Sequence, residues 1–364
     1  MSEVLTTPLH AEHIAAGATL TSFAGWQMPL RYAGDLAEHH AVRQQAGLFD
    51  LSHMAQIEVT GPDAGAALDG ALVSIPSQMA DGRARYTVIV AEDGGILDDL
   101  IVYRLEAEDY LVIANAANRL TVLDELTRRS EGRQCAVVDR TPHRALIAVQ
   151  GPRSAEILEP LVDVDLGALR YYASVRGTID GVPALVARTG YTGEDGFELA
   201  VPAEGAVGLW RLLLEAGAPV GLVPAGLACR DTLRLEAGMP LYGQELTRAT
   251  TPYEVGLGRV VKLDRAFVGR DALAARSENP TGTHLIGLAG SGRRAARAGS
   301  IVLDGEGTEI GTVTSGVLSP TLGHPIAMAH VNAPTILGEA LDVDVRGTRQ
   351  PMTVTELPFY RRPA

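Results

Sequence analysis

The sequence contains only two cysteines in 364 residues, and they lie far apart, at Cys135 and Cys229. Two isolated cysteines cannot form a disulfide scaffold, and without CxxC spacing they do not indicate a zinc ribbon, so the expected compartment is a reducing cytoplasm. The N-terminus shows no basic segment followed by an apolar one. No run of about 18 apolar residues occurs either. We therefore expect a cytoplasmic protein without a membrane-spanning segment.

Aromatic residues and positive charge are also scarce, since aromatics make up 5% of the chain and the formal net charge is −13 at pH 7. An acidic surface is unfavourable for binding backbone phosphates, which argues against a nucleic-acid partner. The sequence has no phosphate loop with lysine, no HExxH, no G-x-S-x-G and no clustered metal ligands. An enzyme with this sequence would have to bind an organic molecule through carboxylates, arginines and backbone groups.

The composition that remains is that of a globular protein with many turns and much β-structure. Hydrophobic residues are 46% of the chain, and it has 40 glycines and 20 prolines. A pattern of strand, Gly-Pro and helix occurs at residues 57–72 and again at 145–161, which suggests two related α+β parts. Six short strands are predicted near the C-terminus, which is typical of a small closed or sandwiched β domain. These strands are predicted at residues 285–288, 301–303, 310–315, 326–331, 341–345 and 352–355. We place the boundary near residue 280, giving regions 1–280 and 281–364.

A hairpin is predicted with strands at 85–91 and 96–105, and two adjacent aspartates lie in its second strand. Because successive strand residues point to opposite faces, one of Asp98 and Asp99 is expected to face the interior. A buried carboxylate is costly unless it meets a cation or hydrogen-bond donors. The alternative is an ordinary acid on a solvated face, just after a turn.

Two further segments carry glycines or charges that turn chemistry and packing do not fully explain. In residues 188–199, three glycines permit close approach of the backbone to a ligand, or form an ordinary hairpin loop. Glu198 lies inside a strand and is harder to explain by turn chemistry. In the predicted helix 225–236, Arg230 and Arg234 are spaced i, i+4, which also suits a salt-bridged surface helix.

Four segments in this order resemble the T-protein family of the glycine cleavage system, and the similarity covers nearly the whole chain. The segments are Phe23-Ala24-Gly25-Trp26 with Gly47-Leu48-Phe49-Asp50-Leu51-Ser52-His53-Met54, then Gly94-Gly95-Ile96-Leu97-Asp98-Asp99-Leu100, then Arg188-Thr189-Gly190-Tyr191-Thr192-Gly193-Glu194-Asp195-Gly196, then Cys229-Arg230-Asp231-Thr232-Leu233-Arg234. The resemblance implies a three-domain cloverleaf, with two α+β domains around a central folate cavity and a C-terminal β-barrel or jelly-roll-like domain. It also implies transfer of the methylene carbon from the aminomethyl group on the lipoyl arm of H-protein to tetrahydrofolate. The products would be 5,10-methylenetetrahydrofolate, ammonia and dihydrolipoyl H-protein, with no metal required.

The resemblance also implies roles for individual residues. It assigns Asp99 as the catalytic residue, a fixed anion beside the folate amine, with Asp98 as the alternative. Glu198 and Arg230 correspond to the folate-site glutamate and arginine. The remaining folate-site residues implied by the resemblance are Tyr86, Asp98, Asn115, Tyr191 and Arg361, with Arg362 as the alternative to Arg361. The basic segment Arg293-Arg294-Ala295-Ala296-Arg297 is a candidate docking patch for H-protein, or a solvated loop.

Two other functions are compatible with the same fold. A folate-dependent demethylase would need no H-protein, and a folate-binding protein without transfer activity would lack an intact segment 94–100, which this chain has. A flavin-linked oxidase would need a further dinucleotide-binding domain. The chain departs from the family pattern at Ala24, where a glycine is common. The alanine should be tolerated there unless its φ is positive.

Overall fold

The computed structural model describes residues 4–278 and 282–363, and this part of the chain contains twenty strands and eight α-helices. The strands are β1 (Leu5–Thr6), β2 (Thr19–Phe23), β3 (Trp26–Arg31), β4 (Ala46–Asp50), β5 (Ala55–Thr60), β6 (Arg83–Val90), β7 (Ile96–Glu106), β8 (Asp109–Ala114), β9 (Ala136–Asp139), β10 (Arg144–Gln150), β11 (Ser174–Ile179), β12 (Val182–Ala187), β13 (Gly196–Pro202), β14 (Leu222–Pro224), β15 (His284–Gly290), β16 (Ile301–Leu303), β17 (Glu309–Leu318), β18 (Pro325–Val331), β19 (Ala340–Val345) and β20 (Thr348–Thr355). The helices are α1 (His10–Ala15), α2 (Asp35–Gln44), α3 (Ala64–Ala71), α4 (Arg119–Arg129), α5 (Ser154–Leu158), α6 (Ala206–Gly217), α7 (Leu227–Glu236) and α8 (Arg270–Glu278). Among the described residues, no helix has the length and apolar character needed to cross a membrane.

The chain divides into two compact units. The first unit comprises residues 1–89 and 98–230, and the second comprises residues 90–97 and 231–364. The boundary that the sequence places near residue 280 falls on residues 279–281, which lie outside the described residues. The division into regions 1–280 and 281–364 therefore stays a prediction.

Three sheets belong mainly to the first unit. They have the strand orders β1-β3-β2, β6-β7-β8-β5-β9 and β11-β12-β13-β10-β4-β14. The predicted hairpin is present as β6 and β7, and the two strand-to-helix repeats are β5 with α3 and β10 with α5. The six-stranded sheet is covered by α6, whose Leu209, Trp210 and Leu213 form one buried face. Burial of such apolar surface contributes about 25 cal/mol per Å² and stabilises this layer.

The second unit contains a closed barrel with the strand order β15-β18-β17-β16-β19-β20. Each of the six strands predicted near the C-terminus overlaps one strand of this barrel. Buried and partly exposed residues alternate along β19, as expected when one face of a strand lines an apolar interior. Each of the six strands pairs with a neighbouring strand on both sides, as a closed barrel requires. The predicted α+β class and the predicted C-terminal β domain are both confirmed.

The hairpin of β2 and β3 is closed by a two-residue turn in which both residues are left-handed. The φ angle is 51° at Ala24 and 82° at Gly25, and Phe23 pairs with Trp26 across the turn. A two-residue turn with positive φ at both positions matches the right-handed twist of the strands. The condition under which Ala24 would be unfavourable is therefore met, and the alanine costs about 1–2 kcal/mol relative to an unstrained residue.

Candidate active site

The two aspartates of β7 lie on opposite faces of the strand, as the sequence predicts. Asp98 is fully buried, whereas Asp99 is half-buried. The Asp98 carboxylate accepts hydrogen bonds from Asn115 N and Asn115 Nδ2, each at 2.9 Å, and from Asn118 Nδ2 at 2.6 Å. These donors are available because β7 and β8 are antiparallel neighbours, so the end of β8 lies beside the start of β7. Asp98 is thereby a fixed part of the sheet.

We expect the free energy of unfolding to depend on Asp98 between about pH 4 and pH 7. Burial, and then the neighbouring charge of Asp99, raise the pKa of Asp98 from 3.8 to about 7. The folded protein therefore holds a proton that the unfolded chain releases in this range. Stability is highest below the unfolded pKa and falls by about 1–4 kcal/mol as the pH rises to about 7.

Urea unfolding of the wild type and of Asp98→Asn, near pH 5 and near pH 7.5, measures this contribution. The asparagine does not titrate, so the wild type should lose more stability between the two pH values than the variant does. An equal loss in both proteins would contradict the shifted pKa of Asp98.

Asp99 is held by two donors, one of which is the Asn115 amide that also donates to Asp98. Its Oδ2 accepts a hydrogen bond from the Tyr86 hydroxyl at 2.9 Å, and its Oδ1 accepts one from Asn115 Nδ2 at 2.8 Å. Burial and the charge of Asp99 raise the pKa of Tyr86 well above its ordinary value, so the phenol stays a donor. A carboxylate held by donors at both oxygens is an oriented anion. The sequence alone did not decide which aspartate is accessible, and the half-buried one is Asp99.

A second carboxylate, Glu198 in β13, is surrounded by polar and aromatic groups. Its Oε2 accepts hydrogen bonds from the Thr189 hydroxyl at 2.5 Å and the Tyr103 hydroxyl at 3.2 Å. Burial lowers the pKa of Arg230, and the charge of Glu198 opposes that shift. The Arg230 guanidinium lies 4.8 Å from the centroid of the Tyr191 ring, within the range of a cation–π interaction. Glu198, Arg230 and Tyr191, three of the residues assigned to the site from the sequence, thus lie in one interacting group.

The loop that carries Tyr191 is fixed from beneath by Gln150. A Cβ atom added at Gly190 would lie 2.0 Å from Gln150 Oε1, and one added at Gly196 would lie 2.5 Å from Gln150 Nε2. A side chain at either position would displace the Gln150 amide, whose Nε2 donates to Thr189 O at 3.0 Å, and at Gly196 it would also meet the Val149 carbonyl oxygen at 2.7 Å. These two glycines therefore permit a close approach within the protein. Glu194, which resembles a turn residue in the sequence, is buried in an ion pair with Arg43 at 2.9 Å.

The two arginines of α7 have different surroundings, and neither belongs to a salt-bridged surface helix. Arg230 lies in the first unit at the site described above. Arg234 lies in the second unit, is 2% exposed, and forms ion pairs with Asp231 at 2.8 Å and Glu245 at 3.0 Å. The i, i+4 spacing reflects one half-buried arginine, Arg230, and one buried arginine, Arg234, on the same helix.

Several polar residues of this region were missed by sequence reasoning. Asn118 and Tyr103 contact the two carboxylates directly, and Tyr172 interacts electrostatically with Tyr86, Tyr103 and Glu198. Tyr172 has a φ of 57°, an unfavourable conformation for a tyrosine that is typical of functional sites. The one sequence signal was the second asparagine in Asn115-Ala116-Ala117-Asn118. Backbone strain at a tyrosine gives no such signal.

Other predictions about the site are not decided by the geometry. Arg361 and Arg362 are exposed residues of the second unit, and the role of Arg361 stays a prediction. Within residues 4–278 and 282–363, no three His, Cys, Asp or Glu side chains converge as metal ligands. The expectation of a metal-free reaction also stays a prediction.

Comparison with known families identifies the class of protein. Residues 9–265 match the family model described as the GCVT N-terminal domain. Residues 284–361 match the model described as the glycine cleavage T-protein C-terminal barrel domain. The mixed α+β fold with its closed C-terminal barrel is therefore that of a T-protein-type transferase.

Individual relatives give the same result over the full chain. An aminomethyltransferase from Saccharopolyspora erythraea is 56% identical, with 100% of both chains covered. One from Streptomyces avermitilis is 58% identical, with 98% of this chain and 97% of the relative covered. The crystal structure of glycine cleavage system aminomethyltransferase T from Bartonella henselae has a TM-score of 0.93 at 37% identity, covering 99% of each chain. The chain belongs to the glycine cleavage T-protein family, and it is an enzyme with aminomethyltransferase function.

Proposed function

We propose that the chain moves the methylene carbon of an aminomethyl group from the lipoyl arm of H-protein to tetrahydrofolate, and that the residues above carry this reaction in the cytoplasm. The carbon leaves its sulfur and its amine and becomes bonded to two folate nitrogens. Ammonia and the dihydrolipoyl thiol are released. The observation that carries the proposal is that the first unit holds two features: an oriented, half-buried carboxylate, Asp99, and a separate group of Glu198 and Arg230 that can bind the pterin ring.

Asp99 is suited to stabilise positive charge as the carbon is transferred. Its two oxygens already accept hydrogen bonds from Tyr86 and Asn115, so the carboxylate is oriented before the substrate binds. Preorganised charge acts without reorganisation cost at the moment of reaction. We therefore assign Asp99 to orienting the folate amine and stabilising the developing cation, more than to removing protons.

Glu198, Arg230 and Tyr191 are suited to bind the pterin ring. The ring has an amide edge and a 2-amino group, and a carboxylate such as Glu198 can accept two parallel hydrogen bonds from them. Arg230 offers further donors, and Tyr191 offers a flat face. The donors and acceptors present here match those of a polar heterocycle, which supports tetrahydrofolate as the carbon acceptor.

Replacing Glu198 by glutamine should weaken tetrahydrofolate binding by about 10- to 100-fold, because a hydrogen bond to a charged group is lost and a donor faces a donor. The dissociation constant for tetrahydrofolate, measured by calorimetry, checks this. Glu204→Gln in the same unit is the matched control, since this glutamate lies outside the site. Equal weakening by both substitutions would remove Glu198 from the binding site.

H-protein is proposed to dock through basic residues of the second unit. Arg293, Arg294 and Arg297 are exposed, and Arg297 Nη1 also donates a hydrogen bond to Gly316 O at 3.2 Å. A local basic patch on a chain of net charge −13 would attract an acidic partner. The docking patch is part of the proposal.

The deciding assay is formation of methylenetetrahydrofolate from aminomethyl-loaded H-protein, with and without tetrahydrofolate. Product is expected only when both substrates are present. Turnover without H-protein on a methylated amine would favour a demethylase. Absence of product with a competent H-protein would overturn the proposed reaction.

A further inference from the structure

His53 is a buried histidine beside the candidate active site, and one of its ring nitrogens makes no hydrogen bond to the described residues. It is 2% exposed. Its Nδ1 is buried and has no hydrogen-bond partner within residues 4–278 and 282–363. Buried polar atoms of native proteins are paired in the great majority of cases, so an unpaired one beside a site is available to a polar group of a bound ligand.

The packing around His53 places it next to the site. The Phe23 ring meets its imidazole edge-on, with centroids 5.6 Å apart. Phe23 pairs with Trp26 in the hairpin of β2 and β3. Trp26 in turn packs against Ala116, which follows Asn115, and against Leu227 of α7, one turn before Arg230. His53 therefore belongs to the layer that supports the residues proposed to contact folate.

The neighbouring acid is not available as a partner for His53. Asp50 Oδ1 accepts a hydrogen bond from Ser52 N at 2.8 Å. Asp50 Oδ2 is occupied by the Thr7 hydroxyl at 2.6 Å and by His13 Nε2 at 2.8 Å. Asp50 thus fixes the segment that carries His53 without pairing with the imidazole.

Electrostatics keep the imidazole neutral. Burial is the main reason why the pKa of His53 is lowered to about 4, and Arg230 lowers it further while Asp50 opposes the shift. A neutral imidazole has one donor nitrogen and one acceptor nitrogen. It can therefore hydrogen-bond a neutral heterocycle without adding charge to a site that already holds Arg230.

We propose that His53 is a further binding residue of the site, whose imidazole forms a hydrogen bond with the polar ring of the bound folate. This assignment rests on the proposed function, since it takes tetrahydrofolate as the ligand. It adds a contact from the turn between β4 and β5 to those from β13 and α7.

The test compares three substitutions by tetrahydrofolate binding and by steady-state kinetics. His53→Phe keeps a ring but removes both nitrogens, and it should weaken tetrahydrofolate binding and raise its KM by about 3- to 10-fold. His53→Asn and His53→Gln place an amide near the positions of Nδ1 and Nε2 respectively. One of the two should restore most of the affinity, and the KM for H-protein should stay unchanged. Exposed His143→Phe is the matched control and should bind as the wild type does.

The outcomes separate this inference from the proposed function. If the wild type does not bind tetrahydrofolate, the proposed function fails. If the wild type binds and all three His53 variants bind equally well, His53 is a core residue and the inference is overturned. A change in the KM for H-protein alone would also overturn it. If His53→Phe does not fold, the amide variants decide, because affinity equal to the wild type in both, or equally low in both, contradicts a specific hydrogen bond.

Discussion

Replacing Asp99 by asparagine is expected to lower kcat by about 10²- to 10³-fold while leaving tetrahydrofolate affinity nearly unchanged, because an oriented negative charge is removed and the shape is kept. The amide still fills the space between Tyr86 and Asn115, whose donors hold the two Asp99 oxygens. Single-turnover measurement with aminomethyl-loaded H-protein separates the chemical step from product release.

Two further variants show whether the loss of kcat comes from the oriented charge of Asp99. Tyr86→Phe removes one donor to Asp99 and should reduce kcat by a smaller factor, about 3- to 10-fold. Asp124→Asn, at an exposed position of α4, is the matched control for loss of one negative charge and should leave kcat unchanged. Near-normal turnover of Asp99→Asn would refute its assignment as the catalytic residue.

Replacing Arg43 by methionine is expected to destabilise the first unit by about 3–5 kcal/mol, because it leaves Glu194 as an uncompensated buried charge. Both side chains are 4% exposed, and Arg43 Nη1 also donates to Thr192 O at 2.7 Å. The two tryptophans of the chain, Trp26 and Trp210, are buried in this unit, so tryptophan fluorescence during urea unfolding reports its stability. The KM for tetrahydrofolate should also rise, since the same loop carries Tyr191.

A double substitution tests the cause of this loss. Arg43→Met with Glu194→Gln removes the unpaired charge and should recover part of the stability lost in Arg43→Met alone. Arg153→Met, in an exposed pair with Glu156, is the control and should leave the unfolding midpoint nearly unchanged. If Arg43→Met and Arg153→Met behave alike, the buried pair does not hold the loop.

Much of the fold could be predicted because it depends on local sequence. The six barrel strands follow from short alternating runs between glycine turns, and the opposite orientations of Asp98 and Asp99 follow from the period of a strand. The function followed from long segments that resemble a family. None of these inferences required knowledge of a distant contact.

The features that were missed depend on partners far away in the chain. Gly95 is required because a Cβ atom there would lie 2.2 Å from the carbonyl oxygen of Arg248, and no local pattern encodes that approach. In the sequence Gly190 and Gly196 are candidates for close approach to a ligand, whereas in the structure the Gln150 side chain fills the space next to them. Arg234 forms an ion pair with the buried Glu245, and the i, i+4 spacing of arginines in α7 gives no sign of that partner.

The short segment 90–97 has a consequence for how this protein can be cut and recombined. The chain enters the second unit there, returns to the first, and enters the second again at residue 231. Ile96 N donates to Thr250 O at 2.9 Å, and Tyr242 donates to Ile96 O at 3.2 Å, so this segment is built into its host. A fragment beginning at residue 231 would leave Thr250 O and the Tyr242 hydroxyl without their hydrogen bonds to Ile96, and Arg248 without its ion pair to Asp93. A chimera that takes its second unit from a relative therefore has to take two segments from that relative, residues 90–97 and the chain from residue 231 onward.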